Sequence, residues 1–229
     1  MDYAYIGRNY QALCEEIAQL SRGAHSPVTL VCVTKSGSDE ELLALAAAGA
    51  CDIAENRPQE LVRRAALLGE HGFTPRYHEI GNLQKNKVKA VLPVASLIHS
   101  VGSLSLAEEI ERRAAQLDRC VEVLIEVNSG REAAKGGVLP EEAEALFCQM
   151  RALPHLRTVG LMTMAPPSED PEDARPYFRD TRRLFEHLGE VYGYPTDTPV
   201  LSMGMSDSYR VAIQEGSTLV RVGRKLFIQ

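Results

Sequence analysis

The chain has 229 residues, 45% of them hydrophobic, with 25 basic and 31 acidic side chains and a formal net charge of −6. A chain of this length can bury a full core and falls in the size range of one α/β barrel or of one to two smaller domains. The acidic balance argues against a general nucleic-acid partner or an anionic membrane surface. No apolar run approaches membrane-spanning length, and the amino terminus lacks the basic start and apolar core of a signal peptide. We therefore expect a cytoplasmic protein.

The cysteines and the missing motifs exclude several chemistries. The five cysteines form no CxxC pair, and most lie in apolar periodic segments, where a free cysteine packs as a small hydrophobe. No HxxxH or HExxH pair and no zinc-spaced group of Cys and His occurs, so a metal site is not expected. The absence of a GxSxG elbow and of a GxxxxGK loop removes two common hydrolase interpretations. The odd, unpaired set indicates a reducing compartment; it consists of Cys14, Cys32, Cys51, Cys120 and Cys148.

The first predicted element is an amphipathic helix over residues 3–22, which precedes the first strand. Its apolar positions recur at spacings of three and four; they are Ile6, Tyr10, Leu13, Ile17 and Leu20. We expect this helix to plug or flank the rest of the fold.

Segment 29–41 runs from a strand through a lysine into a helix. Residues 31–34 are β-branched or small, and an unalternating run of this kind is typical of a strand buried on both faces. Ser38 and the acidic residues after it predict a helix start with a capping box to Glu41. Lys35 thus ends a strand, where parallel α/β folds place ligands and where a desolvated lysine can form a Schiff base. A lysine that only marks a loop remains the simpler alternative.

The whole chain alternates strands with helices. We place the strands at 29–34, 51–54, 76–80, 96–99, 121–127, 158–163, 199–202 and 218–222, and the helices between them at 39–49, 58–68, 84–91, 104–117, 140–152, 172–188 and 206–214. This pattern, without a linker or composition break, predicts one domain over residues 1–229: a (β/α)₈ TIM barrel of the α/β class with an additional N-terminal helix. A doubly wound open sheet is the alternative, but it would rarely use so many strands in so short a chain.

In such a barrel, polar residues at the strand ends converge on one mouth. They are Lys35, Asn56, Asn82, His99, Ser100, Asn128, Thr163, Ser206, and Arg221 with Gly223. Asparagine and glycine commonly end strands for turn reasons, which favours a structural role for Gly81, Asn82 and Asn128. His99 can equally be a packing histidine.

Two stretches near the carboxyl end predict an anion site. In LSMGMSDSY, a glycine and serines occupy a strand-to-helix turn, where free amides and the helix dipole favour a phosphate; we expect Ser206 to cap that helix. In LVRVGRKLF, Arg221 alternates with two valines and is expected to point into the barrel, where its charge needs a partner. Gly223 allows close backbone approach. Adjacent phosphate sites after the seventh and eighth strands recur in barrels.

Eight blocks in order resemble the pyridoxal phosphate homeostasis protein family of the YggS/PROSC type. They are VTK at 33–35, AENRPQE at 54–60, IGNLQKNKVK at 80–89, IHSV at 98–101, VNSGREAAKGG at 128–137, GLMTMAP at 160–166, LSMGMSDSY at 201–209 and EGSTLVRVG at 215–223. The resemblance covers nearly the whole chain. It implies an alanine racemase type of barrel without the additional β domain, and pyridoxal 5′-phosphate (PLP) as the bound cofactor.

The resemblance also implies roles for seven residues. Lys35 would form the Schiff base and Arg221 would meet the pyridine nitrogen. The phosphate would be held by Ser206 and the amides of Gly223 and Arg224, while Asn56 would lie beside the cofactor and Met203 would help to line the pocket. The chain departs from the family's usual residues at Ala54, Arg57, Glu79, Asn82 and Arg224, so we expect a specialised rim.

These residues favour a carrier over a catalyst. An arginine does not surrender its proton to the pyridine nitrogen, so the ring stays unprotonated and is a poor electron sink. The second acid or base of a racemase comes from the domain that is missing here. The first hypothesis is a monomeric PLP homeostasis protein that delivers PLP to PLP-dependent apoenzymes, without clear catalytic activity. The alternatives are a PLP-dependent amino-acid racemase and an aldolase-class enzyme that uses Lys35 on a sugar phosphate without a cofactor.

Overall fold

Helices and strands alternate throughout the computed structural model, which describes residues 3–22 and 27–229. The strands are β1 (Thr29–Val33), β2 (Asp52–Glu55), β3 (Arg76–Glu79), β4 (Leu97–Val101), β5 (Val121–Val127), β6 (Leu156–Thr163), β7 (Val200–Ser202) and β8 (Leu219–Val222). The helices are α1 (Ala4–Leu20), α2 (Asp39–Ala47), α3 (Pro58–Glu70), α4 (Lys85–Val91), α5 (Leu104–Gln116), α6 (Pro140–Met150), α7 (Arg175–Tyr192) and α8 (Tyr209–Gln214). Short 3₁₀ helices span Pro171–Ala174 and Arg224–Leu226.

The eight described strands form a closed parallel barrel in chain order. Closure occurs between β1 and β8, where Thr29 lies opposite Leu219 and Val31 opposite Arg221. The predicted (β/α)₈ barrel is therefore confirmed, and the open sheet is excluded because such a sheet would leave β1 and β8 unpaired at its edges.

Side-chain alternation along the strands separates two apolar layers. Val31 and Val33 of β1 pack inside the barrel with Leu124 and Met162, whereas a larger cluster fills the space between the strands and the outer helices. Because successive side chains of a strand point to opposite faces, the residues that share parity with Val31 and Val33 face the barrel interior.

The additional helix α1 flanks the β1–β8 closure, where it contacts α2, α8 and the C-terminal 3₁₀ helix. Its buried face consists of Ile6, Leu13 and Ile17. The Asn9 side-chain amide donates hydrogen bonds to the carbonyls of Leu226 and Ile228. This helix therefore ties the start of the chain to its end.

Several boundaries differ from the sequence predictions for identifiable reasons. Strand β6 begins two residues early, at Leu156, because Leu156 pairs with Val121 at the start of β5. The segment predicted as a helix from residue 172 opens as a 3₁₀ turn capped by the Asp170 side chain, and α7 continues to Tyr192. The predicted capping box between Ser38 and Glu41 is confirmed.

The expectation that most cysteines pack as small hydrophobes is wrong. All five are free, but only Cys32 is buried; Cys14 is half-buried and Cys51, Cys120 and Cys148 are exposed. Cys51 and Cys120 directly precede β2 and β5, and Cys148 occupies an exposed position of α6. A periodic apolar segment therefore did not identify which of its positions face the core.

Within the described ranges, no helix has the length and apolarity needed to cross a membrane. The same part of the chain contains no group of three or more His, Cys, Asp or Glu side chains that could hold a metal ion.

Candidate cofactor-binding site

Lys35 lies in the turn that follows β1, at the carboxyl-end mouth of the barrel. The ladder extends one residue beyond the strand, because the Thr34 amide donates to the Ala54 carbonyl at 3.1 Å. Lys35 then enters a turn in which the Gly37 amide donates to the Thr34 carbonyl at 2.9 Å. The Lys35 side chain is exposed. It makes no hydrogen bond or ion pair with any of the described residues. The position after β1 agrees with the sequence prediction, whereas the exposed side chain is not the desolvated lysine that the prediction associated with Schiff-base formation.

The loop that carries Lys35 is fixed from behind by Arg64 of α3. The two terminal nitrogens of this guanidinium donate to the carbonyl of Thr34 at 2.6 Å and to that of Gly37 at 2.8 Å. These carbonyls flank Lys35 on either side, so one side chain holds both ends of the turn. Glu55 compensates the buried charge of Arg64 across 3.1 Å.

Glu55 is itself almost completely buried, at 1% exposure. Burial raises its pKa, while the Thr34 hydroxyl, which donates at 2.5 Å, and the positive charge of Arg64 act in the opposite direction. The resulting cluster of Thr34, Glu55 and Arg64 is a rigid support on the outer side of β1 and β2.

Arg221 of β8 points into the barrel, as the alternation with its neighbouring valines predicted. The side chain is 3% exposed. Its Nη1 donates to the Ser202 carbonyl at 3.0 Å and to the Ser202 hydroxyl, and its Nη2 donates to the Thr163 carbonyl at 3.1 Å. A guanidinium has five N–H donors, so two remain without an acceptor among the described residues.

The charge of Arg221 is only partly compensated. Burial lowers its pKa to about 10, and the nearby carboxylate of Glu126 opposes that shift. Glu126 lies on β5 with the parity of Leu124, which packs in the interior cluster. Its own pKa is raised by burial and pulled back by Arg221 and Lys135. At neutral pH Arg221 thus stays protonated inside the barrel.

The turn after β7 meets the end of β8 through Ser206. The Ser206 hydroxyl accepts the Gly223 amide at 3.2 Å, and a Cβ on Gly223 would come 2.8 Å from the Val33 carbonyl oxygen. Gly223 is therefore required for the close approach of the β1 and β8 ends. The amide of Arg224 opens a 3₁₀ helix, so it has no acceptor within that helix.

The prediction that Ser206 caps α8 is wrong. The helix begins three residues later, at Tyr209, with Ser208 in the N-cap position and no side-chain capping bond. The Ser206 hydroxyl instead accepts the Gly223 amide, because the turn folds back onto the end of β8. Arg224 is exposed and its side chain pairs with Asp207, so its guanidinium points along the rim.

Two further predicted positions differ in their surroundings. Asn56 is exposed directly after β2, and its carbonyl lies so close to Gly81 that a Cβ there would come within 2.0 Å. Met203 is fully buried in the apolar layer that also contains Val211 and Ala212. Its side chain therefore stabilises the turn after β7 by packing.

The remaining strand-end residues are mainly structural. Asn128 exchanges hydrogen bonds with the backbone of Glu132 and so closes its own loop. Thr163 donates to the Val127 carbonyl at 2.8 Å. Asn82 is exposed, and the hydroxyl of Ser100 is buried without a partner among the described residues.

Sequence reasoning left the role of His99 open and missed four buried polar side chains of the barrel interior: Asp52, His78, Glu126 and Ser202. The spacing of Glu122, Leu124 and Glu126 was a usable signal, since every second residue of a strand shares a face. No comparable signal marks His78, which contacts His99 of the next strand at 2.9 Å. That contact depends on the register between strands.

Comparisons with known proteins agree with this architecture. A family model described as the N-terminal domain of alanine racemase matches residues 9–229. The pyridoxal phosphate homeostasis protein of Aquifex aeolicus is 46% identical over 76% of this chain and 74% of its own length. That of Helicobacter pylori is 35% identical over 93% of this chain and 92% of its own length. The structure of PipY from Synechococcus elongatus with PLP bound is 29% identical and covers 97% of this chain and 100% of its own, with a TM-score of 0.82.

Proposed function

The chain belongs to the pyridoxal phosphate homeostasis protein family, and on that premise we propose that it binds PLP as a Schiff base on Lys35 and serves intracellular PLP homeostasis. When bound, PLP supplies an aldehyde that condenses with a lysine amine, with loss of one water, and a ring nitrogen that accepts a hydrogen bond. The protein's own residues bind and orient that group.

The observation that carries the proposal is that Lys35 directly follows β1 and Arg221 lies on β8, two strands that pair in the barrel. Val31 lies opposite Arg221 in the register of β1 and β8, and Lys35 lies in the turn that follows β1. The end of β1 is thus followed by an amine that has no partner among the described residues, and the neighbouring strand carries a buried guanidinium with two spare donors. This arrangement fits a flat ring with an aldehyde toward the solvent and a nitrogen toward the interior.

The proposed phosphate position is the junction of Ser206, Gly223 and Arg224. The Gly223 amide donates to the Ser206 hydroxyl and could donate to a phosphate instead. The Arg224 amide has no acceptor within its 3₁₀ helix, so it is a second donor at the same turn. Backbone amides at such turns bind anions well. The exposed side chain of Arg224 contributes positive charge at the rim, partly offset by Asp207.

We further propose that the protein has no clear catalytic activity and acts as a cytoplasmic monomer that passes PLP to PLP-dependent apoenzymes. The protonated state of Arg221 supports the carrier role, because an arginine that keeps its proton leaves the ring nitrogen unprotonated and weakens the electron sink. An amino-acid racemase remains the alternative.

The test is an absorbance titration with PLP followed by borohydride reduction and peptide mapping. We expect the reduced label on Lys35, loss of the Schiff-base band in Lys35→Ala, and an unchanged band in the matched variant Lys85→Ala. Pyridoxal without its phosphate should bind far more weakly, because the charge-assisted contacts at the phosphate position are lost. A label on Lys85, Lys135 or Lys225 would contradict the assignment. Rapid turnover of an amino-acid panel would favour the racemase.

A further inference from the structure

A continuous row of polar side chains crosses the barrel interior from Arg221 to the opposite end. Arg221 donates to the Ser202 hydroxyl, which lies 3.1 Å from Nδ1 of His99. Nε2 of His99 lies 2.9 Å from Nδ1 of His78, and Nε2 of His78 lies 2.9 Å from a carboxylate oxygen of Asp52. Four strands, β8, β7, β4 and β3, contribute to this row before it reaches β2.

The two ends of the row determine its direction. The Asp52 carboxylate only accepts hydrogen bonds, so Nε2 of His78 carries a proton. A neutral His78 then has a bare Nδ1, which accepts from Nε2–H of His99. By the same argument Nδ1 of His99 is bare and accepts the Ser202 hydroxyl proton. Arg221 can only donate, and the Ser202 hydroxyl accepts from it. Every hydrogen bond in the row is therefore donated in the direction from Arg221 to Asp52.

The surroundings keep both histidines neutral. His78 and His99 are fully buried. Burial lowers the pKa of His78 against the opposing effect of Asp52, and it holds the pKa of His99 well below the usual range, with His78 and Arg221 adding to the shift. Solvent therefore does not compete for the ring nitrogens, and a half-made chain would leave buried polar atoms unpaired at considerable cost.

We propose that Ser202, His99, His78 and Asp52 are positioning residues, which hold the Arg221 guanidinium in the orientation that directs its spare donors to the ring nitrogen of PLP. This inference rests on the proposed function. The other contacts of Arg221 are to backbone carbonyls of Ser202 and Thr163, which cannot reorient. The Ser202 hydroxyl is the adjustable contact, and the histidine row decides where its proton points.

The first experiment measures the histidine tautomers directly. Nitrogen-15 spectra of the full, ligand-free chain at pH 7 should show both His78 and His99 as neutral rings protonated on Nε2. Asp52→Ala should allow the Nδ1 tautomer to appear, whereas Asp52→Asn, which retains an acceptor oxygen, should keep the original pattern. An Nδ1-protonated or charged ring in the unsubstituted protein would overturn the proposed direction.

The second experiment measures PLP affinity in a double-mutant cycle. Ser202→Ala and Asp52→Ala should each weaken PLP binding about 3- to 10-fold, which corresponds to the loss of one ordinary hydrogen bond, and Asp52→Asn should restore it. Ser100→Ala is the matched control, because its buried hydroxyl has no partner among the described residues. In the Arg221→Gln background the Ser202→Ala substitution should have no further effect, since both act through one group.

The outcomes separate this inference from the function on which it rests. Additive effects of Arg221→Gln and Ser202→Ala, or equal losses in Ser202→Ala and Ser100→Ala, would show that the row only stabilises the fold. A protein that forms no band with PLP on Lys35 would refute the proposed function itself, while the nitrogen spectra would still decide the direction of the row.

Discussion

Glu79 is a buried carboxyl group with a single hydrogen-bond partner among the described residues. It is fully buried, one oxygen accepts the Gly81 amide at 3.0 Å, and the other has no partner among the described residues. Burial raises its pKa to about 7, and the neighbouring Glu55 adds to the shift. Glu79 is the last residue of β3 and lies two residues before Gly81.

The raised pKa of Glu79 makes stability fall as pH increases. The native protein binds its proton up to about pH 7, whereas an unfolded chain releases it near the ordinary value of 4.5. The free energy of unfolding therefore decreases as pH rises through the window between these values. Because one pKa unit corresponds to about 1.4 kcal/mol, the difference between about 7 and 4.5 sets an upper bound of roughly 3 to 4 kcal/mol on this loss.

We expect Glu79→Gln to remove this pH-dependent loss, since the amide oxygen can still accept the Gly81 amide and no charge develops. Urea unfolding at pH 5 and at pH 8 measures the effect. The free energy of unfolding of the variant, relative to that of the unsubstituted protein, should be higher at pH 8 than at pH 5. The exposed Glu108→Gln should show no such gain. The same difference between Glu79→Gln and the unsubstituted protein at both pH values would contradict the raised pKa.

At the scale of elements, the contact of α3 with the loop after β1 positions the proposed site. Arg64 holds the carbonyls on both sides of Lys35 and pairs with the buried Glu55. Removal of one partner from a buried ion pair leaves the other charge uncompensated, which typically costs about 3 to 5 kcal/mol. The helix therefore contributes to the proposed site by holding the backbone of the loop that carries Lys35.

We expect Arg64→Leu to lower the free energy of unfolding by about 3 to 5 kcal/mol and to weaken PLP binding through a looser Lys35 loop. Chemical denaturation and the absorbance titration measure the two effects. The adjacent Arg63→Leu is the matched control, because Arg63 forms exposed ion pairs with Asp39 and Glu60 and its loss should cost about 1 kcal/mol or less.

A second substitution, Glu55→Gln, should recover part of the stability lost in Arg64→Leu. Equal effects of the two arginine variants would show that the Arg64 contacts do not support the loop.

At the scale of the whole molecule, four large hydrophobic side chains are exposed among the described residues. The exposed large hydrophobic side chains lie on separate segments; they are Leu117, Val191, Met205 and Ile228. Stable homodimers generally bury a contiguous and more apolar patch. This distribution supports the monomeric state that we propose.

We expect sedimentation or light scattering to give a mass near 25.2 kDa that does not change with concentration. The measurement requires a reducing agent, because Cys51, Cys120 and Cys148 are exposed and could link copies by oxidation. A concentration-dependent dimer under reducing conditions would contradict the prediction.

Local pattern was sufficient for the order of strands and helices, the capping box at Ser38 and the inward direction of Arg221. Each of these follows from spacing within one segment, where the periods of the strand and the helix decide which residues share a face. The resemblance of eight ordered blocks added the family and the expected cofactor, which spacing alone could not identify.

Only the tertiary structure decided which side chains meet across segments. The Ser202–His99 contact joins residues 103 positions apart, and the Arg64 contact with Thr34 spans 30. Alternation along a strand shows which face of the sheet each side chain is on. It does not show which residues of the adjacent strands lie beside it, because that depends on the register and stagger around the barrel. For the same reason Ser206, which was expected to cap a helix, accepts a hydrogen bond from the Gly223 amide instead. The helix start was predicted from neighbouring residues alone, whereas the position of the end of β8 beside this turn depends on the tertiary fold.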